Sequence, residues 1–306
     1  MRAAVLHEVG TVPVFGDFKE PQSGDGRQVL EVLLAGLNPV DLYIASGQYG
    51  AVEVPCVVGL EGIARVPDRG RVYFNRVAAP FGSMAQFAPI AVDEAFAVPE
   101  GLDAGLGVSL GIAGLAAWLP LTWHAKLRDG ETVLVLGATG VVGQIAVQAA
   151  KVLGAGRVVA AGRHRPTLEA LRERGADEIV VLGDDDRTAL REAAGEGYDV
   201  VVDAVFGAPL QAALGATKPG ARVVTVGAAA GQTAEIASGD LHGRMLIGHG
   251  NQAVPLDVRR QAYEDLAGHA AAGRITVEVD RLPLSRIDEA WERQASGPHR
   301  KIAIVP

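Results

Sequence analysis

Two rhythms of apolar and polar residues divide the chain. Over the first hundred residues, short apolar runs at 2–6, 28–37 and 62–66 are separated by Gly, Pro and Asp, which predicts strands of an irregular β-rich domain. From Glu131 the pattern becomes strand, glycine turn and helix, repeated. Strands are predicted at 133–136, 157–161, 178–182, 199–202 and 221–226, with helices at 144–153, 166–174, 186–194 and 210–216 between them. Strands alternating with helices at this spacing predict an α/β fold, a doubly wound parallel sheet covered on both faces. Two further helices, 258–271 and 287–294, precede a terminal strand at 301–305, and this last part is expected to return to the first domain.

The stretch 107–123 carries no charge and approaches the length of a membrane span. Its glycines at 111 and 114 and its Pro120 favour a buried helix instead, so no membrane association is expected. The acidic run 184–186 reads as a solvated loop.

Composition narrows the function. The 306 residues are 49% hydrophobic and 21% charged, enough for about two cored domains. A formal charge of −8 disfavours nucleic acid, which needs clustered Lys and Arg. The single cysteine, Cys56, sits in an apolar stretch and is read as a buried thiol. It allows no disulfide framework, and a cytoplasmic location is expected.

The chemistry-bearing motif is the run 133–143, an apolar strand entering Gly137-Ala138-Thr139-Gly140-Val141-Val142-Gly143 and then a helix. The spacing is A-x-G-x-x-G, with Ala138 in place of the first glycine of the dinucleotide fingerprint. Gly140 would let backbone approach a pyrophosphate, and Gly143 would let helix and strand pack closely. The helix N-terminus then offers unpaired amides to the anion. Some twenty residues on, the second strand ends Gly162-Arg163-His164-Arg165, with no acid for a ribose diol. A guanidinium there suits a 2′-phosphate, so NADPH is the expected cofactor, with Arg163 foremost and His164 and Arg165 beside it; the alternative is a solvated basic loop.

At this point the order of motifs resembles the zinc-free quinone oxidoreductase branch of the medium-chain dehydrogenase/reductase superfamily. The likeness runs through Gly36-Leu37-Asn38-Pro39-Val40-Asp41, Tyr43 and Tyr49, Gly59-Leu60-Glu61-Gly62, residues 111–118, the glycine turn, Ala290-Trp291 and Lys301-Ile302-Ala303-Ile304. It implies a Rossmann NADP(H)-binding domain at 109–251 and a discontinuous β-rich GroES-like catalytic domain at 1–108, with 252–306 returning to it. Zinc-dependent relatives would have Cys at position 38 and His at position 60. This chain has Asn38 and Leu60, lacks the four cysteines of a structural zinc lobe, and has no short-spaced pair among its seven histidines, so no metal is expected. Two departures stand out. The loop from 66 to 79 is short and reads Arg69-Gly70-Arg71-Val72, implying a more open cleft. Ala116 also replaces the threonine that many relatives place at the nicotinamide pocket.

The resemblance implies hydride transfer to a quinone or related activated carbonyl. Enoyl or 2-alkenal reduction is the first alternative, and an NADPH-binding structural or regulatory protein with little turnover the second. Asn38 would donate to the oxyanion, or else cap the turn before Pro39. Asp41 would orient that loop, while Tyr43 and Tyr49 would contact substrate or simply pack. Gly227 and Ala228, with His249 and Asn251, follow strands of the nucleotide domain and are expected near the nicotinamide amide. His249 is also the tempting acid, although a lone histidine is more often structural. The segment around 245–248 is expected to build a homodimer sheet.

Overall fold

β1 (Arg2–Leu6) lies between β2 (Val14–Asp17) and β4 (Cys56–Val57), antiparallel to both, in the computed structural model, which describes all residues Met1–Pro306. A larger sheet centres on β3 (Gln28–Leu37). Its strand order is β15 (Val279–Pro283), β16 (Lys301–Val305), β3, β5 (Glu61–Val66), β6 (Gly70–Asn75) and β8 (Phe96–Ala97), with β7 (Phe87–Ile90) also paired to β3. In β3, Leu30 and Val32 are buried and Glu31 is exposed. A register shift between Val32 and Leu34 then ends the alternation, and Leu34 to Leu37 are buried throughout.

β16 pairs antiparallel with β3, Ile302 opposite Leu37 and Ala303 opposite Gly36, so the last residues of the chain complete the first sheet. This pairing sets Lys301 beside the end of β3. The stretch 66–79, expected as a loop, is half strand. β5 turns into β6 at once, with Arg69 N donating to Val66 O over 3.2 Å and Asp68 and Gly70 at φ 65° and 72°. Its shortness is that of a tight hairpin.

The second unit is a six-stranded parallel sheet. Its order is β11 (Glu178–Val181), β10 (Arg157–Gly162), β9 (Thr132–Leu136), β12 (Tyr198–Asp203), β13 (Thr217–Thr225) and β14 (Met245–Gly248). The central strands are continuous runs of Val, Leu and Ala because both faces are covered. The helices are α4 (Val141–Val152), α5 (Arg165–Arg172), α6 (Asp186–Ala194) and α7 (Gly207–Leu214), following α1 (Pro39–Ala45), α2 (Ala104–Ser109) and α3 (Leu115–Leu119) in the chain. α8 (Leu256–Ala271) and α9 (Ile287–Ala295) come after.

The uncharged stretch belongs to one helical segment, Ala104–His124, of which 78% of the most apolar window is buried. It is interrupted at Gly111, whose ψ of −108° leaves the helical region.

The chain divides into Met1–Ile112 with Tyr263–Pro306, and Ala113–Ala262. The divisions at 112/113 and 262/263 differ from the expected 108/109 and 251/252. Both fall inside helical segments, where the apolar period continues across the division and gives no sequence signal.

Candidate active site

Asn38 stands where β3 gives way to α1, and its side chain points into a buried polar cluster in the first unit. Its Nδ2 donates to Glu61 Oε1 at 2.8 Å, and its Oδ1 accepts from Lys301 Nζ at 2.6 Å. Lys301 Nζ also donates to Glu61 Oε1 at 2.7 Å. The other carboxylate oxygen of Glu61, Oε2, accepts from the Tyr73 hydroxyl at 2.8 Å and from the backbone amide of Ile112 at 2.7 Å. Asn38, Glu61 and Lys301 are 4%, 0% and 2% exposed. Four donors thus converge on the buried carboxyl group of Glu61, beside the one ammonium of Lys301.

The surrounding sequence makes room for this cluster. A Cβ on Gly36 would lie 2.5 Å from Glu61 Oε1, and one on Gly111 would lie 2.0 Å from the Tyr73 ring. The break at Gly111 leaves the next amide, that of Ile112, bonded to Glu61. Tyr73 stacks on Tyr263 with centroids 5.0 Å apart, and the Tyr263 hydroxyl donates to Gly107 O at 3.0 Å. Burial and the neighbouring Glu61 charge push the Tyr73 hydroxyl well above the usual phenol range.

Asp41 closes the turn at the start of α1. Its Oδ2 accepts from the Asn38 amide at 2.8 Å, while the Asp41 amide donates to Asn38 O at 3.0 Å. The turn is thus held by Asp41 and the backbone, and the Asn38 side chain is committed to Glu61 and Lys301. Asp41 is buried, its Oδ1 has no partner, and burial pushes its pKa up to about 7. Tyr43 and Tyr49 form a tilted pair with centroids 6.2 Å apart, Tyr43 half-buried and Tyr49 71% exposed. Cys56, expected to be buried, is half-buried because its short strand β4 lies at a sheet edge.

In the second unit, the tight conformation of the nucleotide turn is carried by Gly137, at φ 77°. Ala138 is buried, its amide bonded to Ala161 O at 2.9 Å. The spacing that folds is therefore Gly137-x-x-Gly140-x-x-Gly143, one residue earlier at its start than the fingerprint read from Ala138. A Cβ on Gly143 would meet Gly137 O at 2.3 Å, whereas one on Gly140 would meet nothing nearer than 3.6 Å. Gly143 is needed for packing, and Gly140 leaves an open cradle. The amides of Val141, Val142 and Gly143 open α4 without intrahelical acceptors. Thr139 is buried, and its carbonyl accepts from Gln144 Nε2 at 2.9 Å.

β10 ends at buried Gly162, followed by exposed Arg163, His164 and Arg165. His164 precedes α5, its Nδ1 2.8 Å from Thr167 Oγ1, and Arg165 is paired with Glu169 at 3.4 Å. Arg163 has neither ion-pair nor hydrogen-bond partner for its guanidinium, which distinguishes it within the basic trio. At the end of β12, Asp203 Oδ1 accepts from the amides of Val205 and Phe206, both at 2.9 Å. Burial raises Asp203 to a pKa of about 6. The loop it shapes backs the glycine turn, since a Cβ on Gly137 would lie 2.7 Å from Val205 Cγ1.

Gly227 is exposed at the carboxyl end of β13, with Ala228 half-buried beside it. The His249 amide bonds to Thr225 O at 2.8 Å. Its ring joins a partner that the sequence did not reveal: His249 Nδ1 lies 3.1 Å from His124 Nε2, and His249 Nε2 lies 2.8 Å from Asn251 Oδ1. Because an amide oxygen only accepts, His249 carries its hydrogen on Nε2 and accepts from His124. Burial holds both histidines below the ordinary imidazole pKa, and in His249 the neighbouring His124 charge adds to this.

Sequence reasoning singled out Asn38, Asp41, the glycine turn and the basic trio, and gave Glu61 and Lys301 only as family signatures; the conformation of Gly137, the Asp203 turn and the His124 contact had no signal in the sequence. No three His, Cys, Asp or Glu side chains converge in a metal-binding arrangement.

The zinc-binding dehydrogenase family model matches residues 141–262. The chain is 30% identical over 244 residues to the quinone oxidoreductase of Rattus norvegicus, covering 74% of this chain and 73% of that one. It is 34% identical over 213 residues to an acrylyl-CoA reductase of Ruegeria pomeroyi, covering 68% and 64%. Among solved structures, the quinone oxidoreductase from Thermus thermophilus, determined alone and in complex with NADPH, matches over the whole of both chains at 28% identity and a TM-score of 0.84.

Proposed function

The chain belongs to the quinone oxidoreductase branch of the medium-chain dehydrogenase/reductase superfamily, and from that premise we propose that it reduces a quinone or related activated carbonyl with NADPH, without zinc. The observation that carries this reading is the open Gly140 cradle at the N-terminus of α4, combined with the unpartnered guanidinium of Arg163 at the end of β10. The cradle and the helix amides suit a pyrophosphate, and Arg163 suits a 2′-phosphate. NADPH, when bound, supplies a hydride from the nicotinamide to the acceptor and leaves as NADP+.

The acceptor gains two electrons and one hydrogen, so negative charge develops on its oxygen and a proton from solvent completes the reduction. Asn38 is the donor we assign to that oxygen, because one of its Nδ2 hydrogens is not committed to Glu61. The donor set of this cluster does not suit zinc. Asn38 Oδ1 and Glu61 Oε1 already accept from the Lys301 ammonium, a cation where a divalent ion would have to sit. Tyr43 and Tyr49 offer flat faces for a planar acceptor, and His249 with Asn251 fixes the loop after β14. A homodimer through β14 fits its position as an edge strand with Met245 and Leu246 exposed. A cytoplasmic location fits the single unpaired cysteine.

The likeness to an acrylyl-CoA reductase favours a second acceptor class, α,β-unsaturated carbonyls, which would take the hydride at the β-carbon. Oxidation of NADPH and NADH followed by the loss of reduced-nicotinamide absorbance with 1,4-benzoquinone, 9,10-phenanthrenequinone and an enone, with and without a chelator, tests both. Chelator-resistant turnover favouring NADPH supports the proposal, and the faster acceptor chooses between quinone and enone. Preference for NADH contradicts the role given to Arg163. Binding of NADPH with no turnover of any acceptor contradicts the proposed reaction.

A further inference from the structure

The side-chain amide of Asn38 has only one orientation that its neighbours permit. Lys301 Nζ can only donate, and Glu61, with four donors directed at its two oxygens, only accepts. Turning the amide over would set Oδ1 against the carboxylate at 2.8 Å and the NH2 group against the ammonium at 2.6 Å, two repulsive contacts in a buried cluster. In the observed orientation, Oδ1 and one Nδ2 hydrogen are engaged and a single hydrogen is left over.

The ammonium, hydrogen-bonded to the amide oxygen, draws electron density from the nitrogen, while the carboxylate that accepts its other hydrogen acts in the opposite sense, so what these contacts settle is the direction of the remaining N–H. Glu61 is held on its far side by Tyr73 and Ile112, so it cannot swing away and release the amide. Stability alone gives little reason to keep such a pair, since well-packed apolar residues often replace a buried ion pair at no loss.

We propose that Lys301, acting with Glu61, is a positioning residue for Asn38: its ammonium fixes the amide in the one orientation that leaves an Nδ2 hydrogen as the donor to the acceptor oxygen. This rests on the reading that Asn38 donates to that oxygen. Lys301 itself contacts neither cofactor nor acceptor; it acts through Asn38.

The test compares the wild type, Asn38→Ala, the charge-neutral pair Glu61→Gln/Lys301→Met, and the triple variant. The neutral pair removes both charges together, so no unpaired charge is left buried to unfold the protein. It is expected to lower kcat about tenfold or more while leaving the KM for NADPH within about twofold. In the Asn38→Ala background, the same pair of changes is expected to alter kcat by less than about twofold. An equal loss in both backgrounds would mean a merely structural role and would overturn the proposal.

A second readout does not need turnover. In proton–nitrogen correlation spectra of the protein without cofactor, the Asn38 side-chain amide is identified by its loss in Asn38→Ala. It is expected to show two widely separated, exchange-protected protons that collapse to ordinary separation in the neutral pair. Unchanged resonances would overturn the proposal even if activity falls. If the wild type reduces no acceptor, the functional reading fails while the amide resonances still decide whether Lys301 fixes Asn38.

Discussion

Asp41 accepts a hydrogen bond from the backbone amide of Asn38 through Oδ2 at 2.8 Å, while its equally buried Oδ1 has no partner. Burial, with the Glu61 charge nearby, outweighs the hydrogen bonding from Asn38 and the attraction of Lys301, so the neutral acid is favoured and the pKa rises from 3.8 to about 7. The folded state therefore holds a proton that the unfolded state has released between about pH 4 and pH 7. Through this group stability falls as pH rises across that window, by at most about 4 kcal/mol. His124 and His249 act in the opposite sense, since depressed imidazoles lose stability as pH falls below about 6.5. The Asp41 contribution is therefore read as a difference. Urea unfolding of Asp41→Asn and wild type should show the variant gaining relative stability from about pH 5 to about pH 8, by about 1 kcal/mol or more. A constant difference would mean that Asp41 is ionised throughout.

Arg163 should govern the choice between the two nicotinamide cofactors. Arg163→Ala is expected to raise the KM for NADPH about tenfold and leave that for NADH within about twofold, because only the 2′-phosphate is lost as a partner. Arg165→Ala should have a smaller effect, since Arg165 is already paired with Glu169. Steady-state kinetics with both cofactors separates the two residues.

Gly111 has no room for a side chain, because the ring of Tyr73 occupies the place of its Cβ at 2.0 Å. Gly111→Ala should displace Tyr73 from Glu61 and cost about 2 kcal/mol or more. Thermal unfolding would show a lowered Tm. Gly268→Ala, where a Cβ meets nothing within 4 Å, serves as the control and should change the Tm little.

The exposed edge at β14 makes a prediction about assembly. Leu246→Lys places a charge on an edge strand whose neighbours Met245 and Leu241 are also exposed. If that edge joins two copies, the variant should sediment as a monomer under conditions in which the wild type is a dimer. A wild type that is monomeric at micromolar concentration would remove the basis for the proposed homodimer.

The α/β half was legible because its signals are local. The runs 133–136 and 157–161 are apolar almost throughout, as strands buried on both faces must be, and glycine turns and amphipathic helices punctuate them. The antiparallel half was legible only in part. β2, β8 and β15 are short or partly exposed, and β6 carries Arg71 within a strand pattern, so periodicity there is weak. The nucleotide turn lies between β9 and α4 as the pattern predicts, but spacing cannot say which residue takes the positive φ. Gly137 does so, and Ala138 packs beneath it.

By itself, then, the sequence determined the parallel sheet, the glycine turn, the basic residues after β10, and the absence of the cysteine and histidine that a zinc site would need. Tertiary structure decided what lies beside Asn38. Lys301 is 263 residues away in the chain and Glu61 is 23, and neither distance leaves a mark in local pattern. Pairing of β16 with β3 brings the ammonium to the amide, and the missing side chains at Gly36 and Gly111 admit the carboxylate and the phenol that hold it there. A buried charge keeps its place only where such partners converge, and convergence is a property of the folded chain.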